Sequence, residues 1–219
     1  ARTKWRRERR PAVVTTKDLV SAETKTQYQR PDRIGVSAPI NLPPKRLMIE
    51  PYVLGAWLGD GSSSSAMIYV GNQDIEEMVH IGELKRTLPA GGTRKQDFHH
   101  VLVPGLQTKL RIMGLQNNKH IPDDYMEASI PQRLALLQGL MDMDGCADQQ
   151  GACSFTAANP ILAFQVRDLV NSLGMKAYMR SRYTTLNGKR FGPHYRITFS
   201  APPGVKIFNL TRKQARIRP

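Results

Sequence analysis

Apolar positions in this chain fall into short bursts, and two of the bursts have the same form. Val53-Leu54-Gly55-Ala56-Trp57-Leu58-Gly59-Asp60-Gly61 and Leu137-Gln138-Gly139-Leu140-Met141-Asp142-Met143-Asp144-Gly145 share a glycine at the third position and an Asp-Gly pair at the end. Pro51 opens the first and Pro131 the second, and a glycine follows each. The first therefore predicts a helix of about ten residues, apolar on most sides and so buried, and the second a helix through Met143.

The stretches between and after these bursts have matching order. After the polar run Ser62 to Ser65, Ala66 to Val70 is β-prone and Gln73 to Leu88 has helical periodicity, with Ile75, Met78, Val79, Gly82 and Leu88 inward. Gly91-Gly92 turns the chain, Arg94 to Val103 alternates like a strand, and Pro104 starts a helix reaching about Leu115. In the second half, Cys146 to Thr156 predicts a hairpin around Gln149-Gln150-Gly151, and Asn159-Pro160 caps a helix to about Leu173. Met175 to Thr185 and Tyr195 to Ser200 predict strands around Asn187-Gly188, a pair suited to a tight hairpin, and a last helix follows Ala201-Pro202-Pro203. The order helix, strands, helix, strands, helix thus occurs twice, with the matching acids 84 residues apart (144 minus 60). An internal duplication of α/β (α+β) class is expected, divided into a basic arm at 1–48, a first repeat at 49–130 and a second at 131–219.

Composition narrows the partner. The chain has 32 Lys+Arg against 18 Asp+Glu, a net charge of +14. Twelve of these cations and only four acids fall in residues 1 to 48, where prolines break any periodicity. That segment reads as an extended arm packing on the body or on DNA. Nucleic acid is preferred over an anionic membrane, because the cations do not line one face of an amphipathic helix. No apolar run approaches the roughly 18 residues of a membrane span and no signal peptide is evident, so an intracellular, cytoplasmic setting is expected. Cys146 and Cys153 lack histidines at zinc spacing and read as a buried or half-buried thiol pair in a reducing compartment.

The doubled helix carries the chemistry. Glycines at 55 and 139 let two backbones approach closer than the usual 8 to 10 Å or so between helix axes. Packed on each other about a pseudo-twofold axis, the helices would bring Asp60 and Asp144 together at two C-terminal ends, where exposed carbonyls add negative charge. Two carboxylates and carbonyl oxygens are hard ligands that suit Mg²⁺, with waters and substrate phosphates completing the shell. Metal-assisted phosphodiester hydrolysis is the chemistry such a site would serve.

These two helices resemble the signature helices of the LAGLIDADG homing endonucleases, in particular those encoded within inteins. Pro51-Tyr52-Val53-Leu54-Gly55, Lys119-His120-Ile121-Pro122 and Phe208-Asn209-Leu210-Thr211-Arg212-Lys213 extend the resemblance over about residues 45 to 215. It implies a monomer of two αββαββα repeats, each presenting a curved antiparallel sheet to double-stranded DNA, and a Mg²⁺-dependent staggered double-strand cut. Carried over, Asp60 and Asp144 match the metal-binding acids, and Gly59 and Met143 precede them with carbonyls to offer. Lys119 matches a lysine placed near the scissile phosphates, and Lys213 is the candidate for its counterpart. Met143 and Gln138 stand where the family usually has small residues, which implies looser packing at that end. A self-splicing intein needs a nucleophilic first residue and a terminal His-Asn pair, whereas this chain begins Ala1 and ends Arg218-Pro219. It is expected to be the endonuclease part of a larger intein, embedded in a splicing domain and a host such as a replicative helicase or recombinase, and not to splice. A catalytically inactive or repurposed DNA binder of the same fold, and a basic RNA-binding module, remain as other readings.

For DNA, Lys176, Tyr178, Arg180 and Arg182 alternate with Ala177, Met179 and Ser181, so the strand has one cationic face, which Lys189, Arg190 and Arg196 extend. The corresponding strand of the first repeat offers Arg94, Gln96 and His100. His99 and His100, adjacent in a strand, point to opposite faces and cannot share one ion.

Overall fold

The computed structural model describes residues 15, 17, 37–81, 85–86 and 98–217. Two helices form its centre, α1 (Pro51–Asp60) and α5 (Ile130–Asp144). Pro51 and Pro131 stand in their first turns, where a missing N–H costs nothing. Glu50 caps α1 by accepting from the Val53 N–H, and Ser129 with Gln132 forms a capping box on α5.

The first repeat continues with β1 (Ile68–Gly71), α2 (Ile75–Ile81), β2 (Lys85–Arg86), β3 (Phe98–Leu102), α3 (Leu106–Ile112) and the short α4 (Asp123–Met126). The second continues from α5 with β4 (Gly145–Ala147), β5 (Ala152–Ala157), α6 (Pro160–Ser172), β6 (Tyr178–Leu186), β7 (Lys189–Ser200) and α7 (Thr211–Gln214). Two antiparallel sheets result, ordered β1-β3-β2 and β4-β5-β7-β6. An isolated bridge between Gly61 and Ile68 stands where β4 would be in the first sheet, so the strand order is the same in both repeats.

Most of the expected elements are present, with shifted limits. The helix expected over 73 to 88 ends before Lys85, because Lys85 and Arg86 pair with Leu102 and Val101 of β3. Sheet pairing there prevails over local helical periodicity. The Gly91-Gly92 turn, Arg94 and Gln96 lie outside the described residues. The last helix is one turn long and starts at Thr211, well after the proline break. Asn187 and Gly188 have φ of 49° and 75°, the left-handed pair that a two-residue hairpin turn requires. Cys146 and Cys153 are both free; Cys153 is buried as expected, whereas Cys146, on the short strand β4, is exposed.

The core runs from Trp57, Leu54 and Leu58 of α1 through Leu136, Leu137 and Leu140 of α5 to Phe155, Ile197 and Phe199 of the second sheet. The last residues of the basic arm, 37–48, lie against this body. Ile40 N–H donates to the Ser172 carbonyl (2.9 Å), and Lys45 exchanges backbone bonds with the Gln132 side chain (3.0 and 2.6 Å). Arg133 is fully buried and donates to the carbonyls of Ala128, Ser172 and Ile40 and to Ser172 Oγ, tying this segment to α5 and α6. Among the described residues no carboxylate pairs with it. A lysine cannot span those acceptors, so Arg133→Lys is expected to lower unfolding free energy by about 1–2 kcal/mol in denaturant titration.

Candidate active site at the paired helix ends

Gly55 and Gly139 are where α1 and α5 touch. A Cβ added at Gly55 would run into the Leu136 carbonyl oxygen and lie 3.0 Å from Leu140 N; one at Gly139 would run into the Tyr52 carbonyl oxygen and lie 2.7 Å from Ala56 N. These contacts exchange when 84 is added or subtracted, so the two helices meet each other through the same surface. One turn further on, Gly59 faces Met143, whose Cβ would be 2.8 Å from a Cβ on Gly59. The bulk of Met143 is accommodated because its opposite number has no side chain. Gln138 turns away from the joint, donating to the Lys206 carbonyl (2.8 Å).

This packing sets Asp60 and Asp144 beside each other at the two C-terminal ends. Both are solvent-exposed on one side. Burial of the remainder raises the pKa of Asp60, with Lys119 and Lys213 opposing. Burial again, and then the charge of Asp60, raises that of Asp144, and the same two lysines oppose. The four residues taken from the sequence are thus one electrostatic cluster.

The two lysines occupy equivalent places. Lys119 Nζ donates to the carbonyls of Leu58 (3.1 Å) and Gly61 (2.7 Å) at the end of α1. Lys213 Nζ donates to those of Asp142 (2.6 Å) and Gly145 (2.8 Å) at the end of α5, and also to Met141 (3.1 Å) and Met143 (3.3 Å). Positions 58 and 61 plus 84 are 142 and 145, so Lys213 is the counterpart of Lys119. Each ammonium satisfies carbonyls that a helix terminus leaves unpaired and offsets the dipole there. Lys119 lies over the Trp57 ring, 5.0 Å from its centroid, and burial pulls its pKa down to about 8. Lys213 is more deeply held, and burial, followed by the neighbouring Arg212 charge, lowers its pKa. Its hold on Met143 O means that this carbonyl is shared with an ammonium.

Asp142 was not singled out by the sequence. It is buried, receives the Tyr52 hydroxyl (2.8 Å) and accepts the N–H groups of Asn209 and Leu210, fixing the approach to α7. Its position in the repeat corresponds to Leu58, so an acid in an otherwise apolar helix was the available signal.

Oxygen donors from two carboxylates fit a divalent ion: their mutual repulsion and partial desolvation are what a cation would relieve. No cluster of three or more His, Cys, Asp or Glu is present among the described residues.

The cationic face follows from the register of β6 on β7. Tyr178, Arg180 and Arg182 lie opposite Thr198, Arg196 and His194, while Met179 and Ser181 lie opposite Ile197 and Tyr195. Side chains across a non-bulged pair share a face, so Tyr178, Arg180, Arg182 and Arg196 form one surface, with Lys176 before the strand. Arg190 stacks on Tyr183 at 3.7 Å, and Lys176 on Tyr178 at 5.0 Å. Arg196 Nη2 donates to Ser154 Oγ (3.0 Å), in the hairpin that leaves Asp144. Lys189 begins β7 at the exposed tip. In the first sheet His100 meets Tyr69 edge-on, ring centroids 5.1 Å apart. No described helix is long and apolar enough to cross a membrane.

Residues 131–201 match the family model described as LAGLIDADG-like domain. The matched stretch takes in Gly139 and Asp144 of α5, so a LAGLIDADG-like domain lies in the second half of the chain. It is 35% identical over 174 residues to the replicative DNA helicase DnaB of Mycobacterium intracellulare, a match taking in 80% of this chain and 27% of that protein. The chain therefore spans about a quarter of the relative it matches. Among solved structures it is similar to the homing endonuclease I-DmoI in complex with DNA and Ca, at 14% identity and a TM-score of 0.49 over 76% of this chain and 94% of that one. Mesophilic variants of I-DmoI are similar at 16% identity and a TM-score of 0.46 over 69% and 87%.

Proposed function

We propose that the chain is a site-specific DNA endonuclease that makes a divalent-metal-dependent, staggered double-strand cut, with Mg²⁺ as the metal. The observation that supports it most is the placing of Asp60 and Asp144, one from each repeat, between two lysines at the joined helix ends. Asp60 and Asp144 would hold the metal, with the Gly59 carbonyl nearby; the ion would supply Lewis acidity toward phosphate and a more acidic water. Lys119, with two of its three N–H groups on carbonyls, keeps one for a phosphate oxygen or the attacking water, and a pKa near 8 lets it donate or accept a proton near neutrality. Arg180, Arg182 and Arg196 would meet bases or phosphates, and Lys176, Lys189 and Arg190 the flanking backbone.

The likeness to a quarter of a replicative helicase supports the reading that the chain is an intein-borne insert in such a host; it would act as a monomer in the cytoplasm. In the test, a supercoiled plasmid carrying the uninterrupted helicase gene is incubated with the protein and Mg²⁺ or Mn²⁺. Linear product with a fixed pair of ends is expected. Tight binding with no product under either metal would sink the nuclease reading and favour a repurposed DNA binder. If six cations of the second sheet meet phosphates, log affinity falls against log salt with a slope of about −5, measured by fluorescence anisotropy.

A further inference from the structure

Each of the two lysines belongs to one repeat, and the segment that carries it is also held from the other. Lys213 lies on α7, whose four residues are too few to hold a helical turn unaided. The first repeat grips that turn. Glu77 accepts from the Thr211 N–H (2.9 and 3.1 Å) and from Thr211 Oγ1 (2.6 Å). Asp74, 8% exposed, takes Arg212 in a two-pronged pair, with Nε and Nη2 each at 2.5 Å. The two residues that precede Lys213 are thus fixed by charge-assisted bonds from the opposite half.

The other lysine is held in the reciprocal way. Gln165 of α6, in the second repeat, brackets the Ile121 backbone, accepting its N–H at 2.7 Å and donating to its carbonyl at 2.8 Å. Asn159 Nδ2 donates to the carbonyl of Lys119 itself (2.8 Å). The chemistry of the two grips differs, acids in one and amides in the other, yet both reach across from the partner repeat at the same stage of the fold.

We propose that Asp74 and Glu77 are positioning residues for Lys213, and Gln165 for Lys119, so that each repeat sets the lysine of the other. The consequence for cleavage rests on the nuclease reading. The ammonium of Lys213 has three hydrogens for four carbonyls at 2.6 to 3.3 Å, and a small displacement of its turn forfeits that arrangement. Undocked repeats would each present a lysine without its address, which ties cutting to the assembled joint.

The test has one arm that does not depend on cleavage. The whole chain, without DNA, is treated with acetic anhydride, and amine modification is read by mass spectrometry. Lys213 is expected to be protected in the parent protein and to become about tenfold more reactive in the Asp74→Asn, Glu77→Gln double variant, while Lys119 is unchanged; Gln165→Ala gives the opposite pattern. Glu77→Gln alone, which keeps the Arg212 pair, serves if the double variant does not fold. The second arm is single-turnover cleavage. The double variant should cut at least about tenfold more slowly with DNA affinity unchanged, since misplacement by an ångström or so costs rates of that order. Asp124→Asn, which loosens the Lys45 ion pair, should cut normally. Continued protection of Lys213 in the double variant overturns the proposal, as does equal slowing by Asp124→Asn. A parent protein that cuts no DNA overturns the nuclease reading, and the acylation arm still decides the latch.

Discussion

Asp60→Asn and Asp144→Asn are each expected to slow DNA cleavage by about 10³-fold or more, since even outer-sphere groups at metal sites are worth about 10- to 100-fold. Duplex affinity measured in EDTA should change by less than about threefold, because the cationic sheet face that carries the salt-dependent binding is untouched. A single acid lost should be as damaging as both, since the two carboxylates come from separate helices and serve one site. Gel analysis of supercoiled plasmid gives the rate and anisotropy the affinity. Cleavage at the parental rate by either variant would remove these acids from the mechanism.

The same substitutions carry a second, opposite expectation. Burial raises the pKa of both carboxyls in the folded protein. Folded chain then binds more protons than unfolded chain as pH rises from the ordinary carboxylate range to the raised values, and stability falls through that window. Above that window the whole penalty is present. Asn variants should therefore melt at higher temperature than the parent at pH 7 without metal, and the difference should vanish on acidification below the ordinary carboxylate range. Adding Mg²⁺ should raise the melting temperature of the parent and not of the variants, because only an ion bound to the native state contributes. A site that is stabilised by losing charge has been shaped for something other than stability.

How much of this was legible beforehand depended on whether a residue's role was local. Gly55, Gly139 and the two Asp-Gly pairs are a repeated local pattern, and their meeting followed from the small size of glycine and the length of the helices. The limits of α5 and α6 followed likewise from Pro131, Asn159 and Pro160. The Lys213 assignment was not local. Its distance from Lys119 is 94 residues rather than 84, because the loops differ in length, and only its bonds to Asp142 O and Gly145 O reveal the equivalence. Asp74, Glu77 and Gln165 read as ordinary polar positions, since what they hold lies 44 to 138 residues away. The cationic face of β6 was legible from alternation alone, whereas Lys85 and Arg86 formed a strand because β3 was there to pair with them.

The joint itself gives the other large effect. Gly→Ala inside a helix ordinarily stabilises by about 1 kcal/mol through helix propensity. At Gly55 and Gly139 the sign should reverse, because the new methyl meets not a flexible side chain but the carbonyl of a facing helix, and two helices must separate to admit it. Overpacking of this kind costs about 1–3 kcal/mol, occasionally more, and for Gly55→Val or Gly139→Val about 3 kcal/mol or more is expected, with β-branching adding strain in the helix. Separation of the helices also draws Asp60 away from Asp144, so the alanine variants should lose cleavage out of proportion to stability. Urea titration and single-turnover rates on Gly55→Ala distinguish the two: a stabilised variant, or one that unfolds more easily yet cuts at the parental rate, would contradict a joint that both holds the halves and sets the acids. The reciprocal contacts make Gly139→Ala an equal test, and the two substitutions combined should fall short of additive, since once one methyl has parted the helices the second has less to displace.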